Sequence, residues 1–166
     1  MQTMLSLLLV IVLYCCSAHY KYNNPKKDDP VIEFAGRPSN PVYNDYTEES
    51  HLLWLNTSGE NKCSDYQFAG LVQKQTDWYT LTQSKPLKIT VPKSKKLYLK
   101  TGWDTNNIHE YCRSSPVYFT PKPNAHYTID ISLDGIHCNP IIYKILPNGK
   151  LTKQAERLTP ASPCKK

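Results

Sequence analysis

The chain has 166 residues, with 20 Lys and Arg against 14 Asp and Glu, for a formal net charge of +6. Lysine supplies nearly all of that basicity, because the arginines are Arg37, Arg113 and Arg157. Arginine makes the bidentate phosphate and base-edge contacts. Its scarcity argues against sequence-specific nucleic-acid binding and leaves a weaker attraction to acidic glycans or anionic lipid headgroups.

The first eighteen residues, MQTMLSLLLVIVLYCCSA, read as a secretory signal. An uncharged apolar run ends in small residues, and its core is too short to span a bilayer stably. Two processing routes follow. Cleavage after Ala18 releases a chain that begins at His19. Alternatively, Leu13-Tyr14-Cys15-Cys16 resembles a bacterial lipobox, apart from Tyr14, with Cys16 as the acyl acceptor that would tether the domain to a membrane.

Residues 19–50 read as a polar tether, in which Pro25, Pro30, Pro38 and Pro41 interrupt paired polar and charged residues. Such a stretch buries too little apolar surface to offset its ordering entropy. Within it, Val31-Ile32-Glu33-Phe34 suggests an edge strand. Glu48 and Glu49 read as solvated carboxylates, without the dry pocket that would shift a pKa.

Residues 51–166 carry a strand-like pattern. Residues 51–55 form an apolar run that includes Trp54. Leu87, Ile89 and Val91 alternate with Lys88 and Thr90, and Leu97 and Leu99 alternate with Lys96, Tyr98 and Lys100. Tyr127, Ile129, Ile131 and Leu133 form the clearest half-buried strand, and residues 117–119 and 141–146 complete the set. Turn signals at Pro92-Lys93-Ser94, Asp134-Gly135 and Pro147-Asn148-Gly149 separate them. With 13 prolines and no helical period, the pattern predicts an all-β, antiparallel β-sandwich of the immunoglobulin-like or transthyretin-like kind, preceded by a disordered tether.

Four cysteines remain after signal removal: Cys63, Cys112, Cys138 and Cys164. An even count in an exported chain implies two disulfides with three possible connectivities. The favoured one joins Cys112 to Cys138 across neighbouring strands, and Cys63 to Cys164 to pin the C-terminal tail to the start of the domain. The spacing carries no CxxC or CxxH pair for zinc.

The order Cys112, Val117-Tyr118-Phe119-Thr120-Pro121, Tyr127-Thr128-Ile129-Asp130-Ile131, Cys138 and then the 141–145 strand resembles small bacterial cell-envelope lipoproteins. Asn124 stands where their turn has glycine. The resemblance covers residues 85–150. It implies a compact β-sandwich without an assigned activity, located at the outer membrane or in the periplasm, and it agrees with acylation of Cys16.

No nucleophile elbow, HExxH helix, phosphate loop or EF-hand loop is present, so no catalytic residue and no cofactor is expected. The binding candidate is basic. Residues 78–103 contain no Asp or Glu, while Lys85, Lys88, Lys93, Lys95, Lys96 and Lys100 accumulate beside Trp78, Tyr79, Tyr98 and Trp103. Aromatic faces beside lysines suit an acidic glycan or an anionic lipid surface, or an envelope protein. Lysines guarding edge strands would give the same pattern.

The expected function is therefore a non-catalytic binding or structural module. Two alternatives stand beside it. A soluble secreted protein with His19 as its N-terminus could hold copper in a histidine brace, with His51, His109, His126 or His137 as the second imidazole. Asn56-Thr57-Ser58 is a glycosylation sequon, which would suit a eukaryotic secreted binding protein.

Overall fold

The computed structural model describes residues 20–38, 47–76, 81–83, 85–105, 111–134, 137–152 and 154–165. The signal segment, Cys16 and His19, together with Trp78, Tyr79 and His109, lie outside these residues. Among the described residues no helix is long and apolar enough to cross a membrane.

In chain order the strands are β1 (Val31–Pro38), β2 (Thr47–Asn56), β3 (Gln67–Thr76), β4 (Leu81–Gln83), β5 (Leu87–Thr90) and β6 (Leu97–Thr105). They continue as β7 (Tyr111–Arg113), β8 (Val117–Phe119), β9 (His126–Asp134), β10 (His137–Ile145) and β11 (Thr159–Pro160), and Cys63–Asp65 forms one 3-10 turn. The protein is all-β, in two packed sheets. One sheet runs β10-β9-β1-β5. The other runs β11-β8-β6-β2-β3-β4, with β7 pairing beside β8 on the same edge of β6.

The period-two pattern does what it predicts. Leu97 and Leu99 on β6, Leu53 and Leu55 on β2, and Tyr127, Ile129 and Ile131 on β9 all point into the core between the sheets. Asn124 replaces the turn glycine of the resemblance without difficulty, since it adopts the left-handed conformation (φ 54°) that asparagine tolerates.

The N-terminal segment differs from a tether. Tyr20 packs against the core and donates its backbone N–H to the Phe68 carbonyl, and β1 lies inside the four-stranded sheet rather than at its edge. Ile32 and Phe34 are fully buried (0% exposed). Four alternating residues outweigh a polar composition once both neighbouring strands are present. β1 pairs antiparallel with β5 but parallel with β9, so the sandwich is not wholly antiparallel. Asp29 secures the entry to β1, accepting hydrogen bonds from Lys26 N–H (2.7 Å) and the Tyr22 hydroxyl (2.9 Å). The Lys26 amide, and then Tyr22, hold its carboxyl below the usual carboxylate range.

Glu49 is likewise not solvated. Residues 49, 51, 53 and 55 share the inner face of β2, so Glu49 is 3% exposed and lies 3.1 Å from the buried His51 Nε2.

Both disulfides form as favoured, with one change of role. Cys63–Cys164 ties the tail to the 3-10 turn, with Cα atoms 5.0 Å apart. Cys112–Cys138 joins β7 of one sheet to β10 of the other, Cα atoms 5.8 Å apart, instead of linking neighbours within a sheet. Thr101 Oγ1 donates to the Cys138 carbonyl (2.7 Å) at the same crossing. Chain entropy assigns roughly 4–5 kcal/mol to the 101-residue span and roughly 3–4 kcal/mol to the 26-residue span.

A bulge between β2 and β3 sets the outer face. Leu53 pairs with Gly70 and Trp54 with Phe68, so Ala69 is the extra residue. The slip turns Phe68 outward to pack against Trp54 with tilted rings, centroids 5.7 Å apart. Gly70 has φ 149°, and a Cβ there would lie 2.6 Å from Leu87 Cδ2 in the other sheet. Gly70→Ala is therefore expected to destabilise the fold by about 1–3 kcal/mol. Urea unfolding measures this, and an unchanged midpoint would contradict the close approach.

Candidate functional site

The expected lysine patch divides among several places. Lys85 and Lys88 lie at or on β5 in the four-stranded sheet, where Lys88 is 3.7 Å from Glu33. Lys93 forms an ion pair with Asp28 at the β5–β6 turn, beside exposed Lys95. Trp103 points inward and is 8% exposed, so it cannot stack on a ligand. Tyr98 faces outward from β6 but is covered, at 7% exposed. Lys96 and Lys100 reach the outer face of the larger sheet, each over an aromatic ring.

That outer face holds a cleft of about 580 Å³. Trp54 and Lys100 are cross-strand partners on β2 and β6, and both point outward. Tyr66, placed by the turn that Cys63 anchors, lies under Lys100, whose Nζ is 3.9 Å from the ring centroid. On the other side, Arg113 stands opposite Gly102 in the β6–β7 pair, and its guanidinium lies 5.5 Å from the Trp54 ring. Gly102 makes this possible. A Cβ there would meet Arg113 Cδ at 2.9 Å and Trp54 Cζ3 at 3.0 Å, so only glycine leaves the floor low enough for the stack.

The remaining walls come from Ser114, Ser115 and Pro116 and from the tail residues Pro163 and Cys164. Ser114 exchanges backbone and side-chain hydrogen bonds with Thr101, which fixes the bend after β7.

The electrostatics are one-sided. Among the described residues no carboxylate lies within ion-pair distance of Lys100, and burial alone pushes its pKa down. Burial pushes the Tyr66 phenol up to about 12, so its hydroxyl stays protonated and donates to Asn61 Oδ1 (2.7 Å). Arg113 donates to the carbonyls of Cys112 (2.9 Å) and Trp103 (3.2 Å), and approaches Asp104 only at 3.7 Å. Two cations on two aromatic faces thus meet in one concave site.

A second cleft of about 500 Å³ lies on the other side of the tail. Its floor is Tyr98 and Tyr118, ring centroids 5.2 Å apart, with Lys96 Nζ 4.8 Å from the Tyr118 ring.

The described histidines do not assemble. His51 is sealed in the core, His126 is 3.7 Å from Glu33, and His137 is exposed at the start of β10. Among the described residues no group of three His, Cys, Asp or Glu side chains could hold a metal ion.

The sequon is structural. Asn56 is 1% exposed, donating to the Glu60 carbonyl (2.8 Å) and accepting from the Ser58 amide (2.9 Å) and hydroxyl (2.8 Å), so its nitrogen closes a turn. No family model, curated protein or solved structure matches the chain. The two disulfides fit an oxidising compartment.

Sequence reasoning missed Tyr66, Arg113 and the serines, and took Trp54 only as part of an apolar run. Outward parity on β6 pointed to Lys100. Tyr66 carried no periodic signal, because a disulfide-anchored turn places it.

Proposed function

We propose that this protein is a non-catalytic binding module of an oxidising, exported compartment, whose ligand is an acidic glycan held in the Trp54–Tyr66–Lys100–Arg113 cleft. The observation that carries this reading is the pairing of two cation-bearing aromatic faces in one concave site. A sugar ring presents an apolar face that stacks on an aromatic side chain, and its carboxylate or sulfate pairs with the adjacent cation. A flat anionic lipid surface would be met by a protruding cationic patch, and these cations lie inside a cleft.

The ligand groups are bound, not transformed. The cleft offers Ser114, whose hydroxyl already accepts the Thr101 amide, and Ser115, and among the described lining residues no His, Asp or Glu stands beside them to activate an attack.

Calorimetry at low salt with a uronic-acid hexasaccharide tests the site. Lys100→Gln and Arg113→Gln should each weaken binding about tenfold, the ~1–2 kcal/mol expected of a partly desolvated cation contact. Lys88→Gln, on the other sheet, should leave it unchanged. Equal affinity for the neutral hexasaccharide, or no binding at low salt, would overturn the reading.

The anchored form of the reading uses Cys16 as acyl acceptor, on the lipobox of residues 13–16 and the likeness of residues 85–150 to envelope lipoproteins. Intact mass of the protein from its native host should begin at Cys16 carrying acyl chains. A mass that begins at unmodified His19 would remove the anchor, and Cu(II) titration of that free N-terminus would then decide the copper alternative.

A further inference from the structure

The two disulfides occupy opposite environments. Cys112 and Cys138 are buried in the core between the sheets. Cys63 is exposed, and Cys164 forms part of the cleft wall. Thiol–disulfide exchange requires an attacking thiolate to reach a sulfur, so access separates the two bonds chemically.

The Cys63–Cys164 bond fastens a strap, residues 159–165, that crosses the outer face of the larger sheet. Both clefts use it as a wall, and Pro163 borders each of them. Its other attachments among the described residues are polar and lie at its two ends and middle. β11 pairs with β8 at two positions, Ala161 N–H donates to the Pro116 carbonyl, Asn61 Nδ2 donates to the Ser162 carbonyl (2.5 Å), and Lys165 exchanges backbone hydrogen bonds with Asn61 and Cys63. Thr159, Pro160, Ser162, Pro163 and Lys165 are all exposed, so the strap buries little apolar surface of its own. Tyr98, outward by the alternation of β6 and 7% exposed, lines the second cleft together with strap residues 160–163. A segment that buries little apolar surface, and that one covalent link joins to a two-residue strand pairing and a few solvent-accessible hydrogen bonds, becomes a removable cover once that link opens.

We infer that Cys63–Cys164 is a redox latch: a dithiol reductant opens it, frees the strap, and joins the two clefts into one aromatic groove. One thiolate of the reductant attacks Cys63 Sγ and breaks the Cys63–Cys164 bond. The Cys164 thiolate leaves and takes up a proton. The reductant's second thiol then attacks the mixed disulfide and releases Cys63 as a thiol. Two electrons pass to the cysteine pair, and the reductant leaves as its disulfide. Opened, the groove runs from Trp54 and Tyr66 to Tyr98 and Tyr118, with Lys100 and Lys96 along it, and takes a longer acidic glycan than the latched cleft. The ligand part of this inference rests on the binding reading above; the latch itself does not.

The test uses the full mature chain and graded dithiothreitol, followed by alkylation and peptide mass mapping. Cys63 and Cys164 should be labelled at least tenfold faster than Cys112 and Cys138, and the amides of Ala161 and Lys165 should exchange at least tenfold faster in the reduced form. Reduction of both disulfides together would overturn the latch. So would full protection of those two amides in the Cys63→Ser/Cys164→Ser protein, a variant that needs no reductant. A uronic-acid dodecasaccharide should gain at least fivefold in affinity over the hexasaccharide on unlatching. Faster labelling and exchange without glycan binding in either state would support the latch and overturn the ligand reading.

Discussion

The period-two geometry of β6 is the constraint on which the rest depends. One strand supplies Leu97, Leu99, Thr101 and Trp103 to the core, and Tyr98, Lys100 and Gly102 to the outer face. Its two edges carry β2 on one side and β8 with β7 on the other. Every aromatic or cationic residue of the cleft is placed by one of those pairings or by the turn at Cys63. A one-residue slip of β6 would send Lys100 into the core and Leu99 into the cleft, so core register and site register are the same quantity. Thr101 and the Cys112–Cys138 bond make that register hard to lose, since they couple β6 and β7 to the opposite sheet.

Much of the fold was legible because alternation reports burial directly. Tyr127, Ile129 and Ile131, or Leu97 and Leu99, carry their own evidence. β1 was harder to read, since a short Val31-Ile32-Glu33-Phe34 run looks the same at the edge or in the middle of a sheet. Only the partners, β5 and β9, decide its place. Glu49 shows the same limit: a carboxylate in polar surroundings is read as solvated until strand parity and His51 bring it inside. The basic patch divides for a related reason. Sequence proximity gathers lysines from β5, a turn and β6 into one list, whereas the sandwich distributes them over two sheets. The actual cleft combines residues far apart in the chain, Trp54, Tyr66, Lys100 and Arg113, which only strand pairing and a disulfide assemble.

The two disulfides divide their labour between core and surface. The inter-sheet bond acts where hydrophobic packing already excludes solvent, and so reinforces the fold. The strap bond acts where packing is thin, beside a two-residue strand pairing and a few hydrogen bonds. The domain gains stability from both bonds, but only the second lies beside the two clefts of the outer face.

The most direct test of the account is where a ligand lands on the folded protein. Amide NMR shifts during titration with a uronic-acid hexasaccharide should concentrate at Trp54, Tyr66, Lys100, Gly102 and Arg113, on one sheet face. Shifts that gather instead at Lys88, Lys93 and Lys95, or that are absent throughout at low salt, would contradict it.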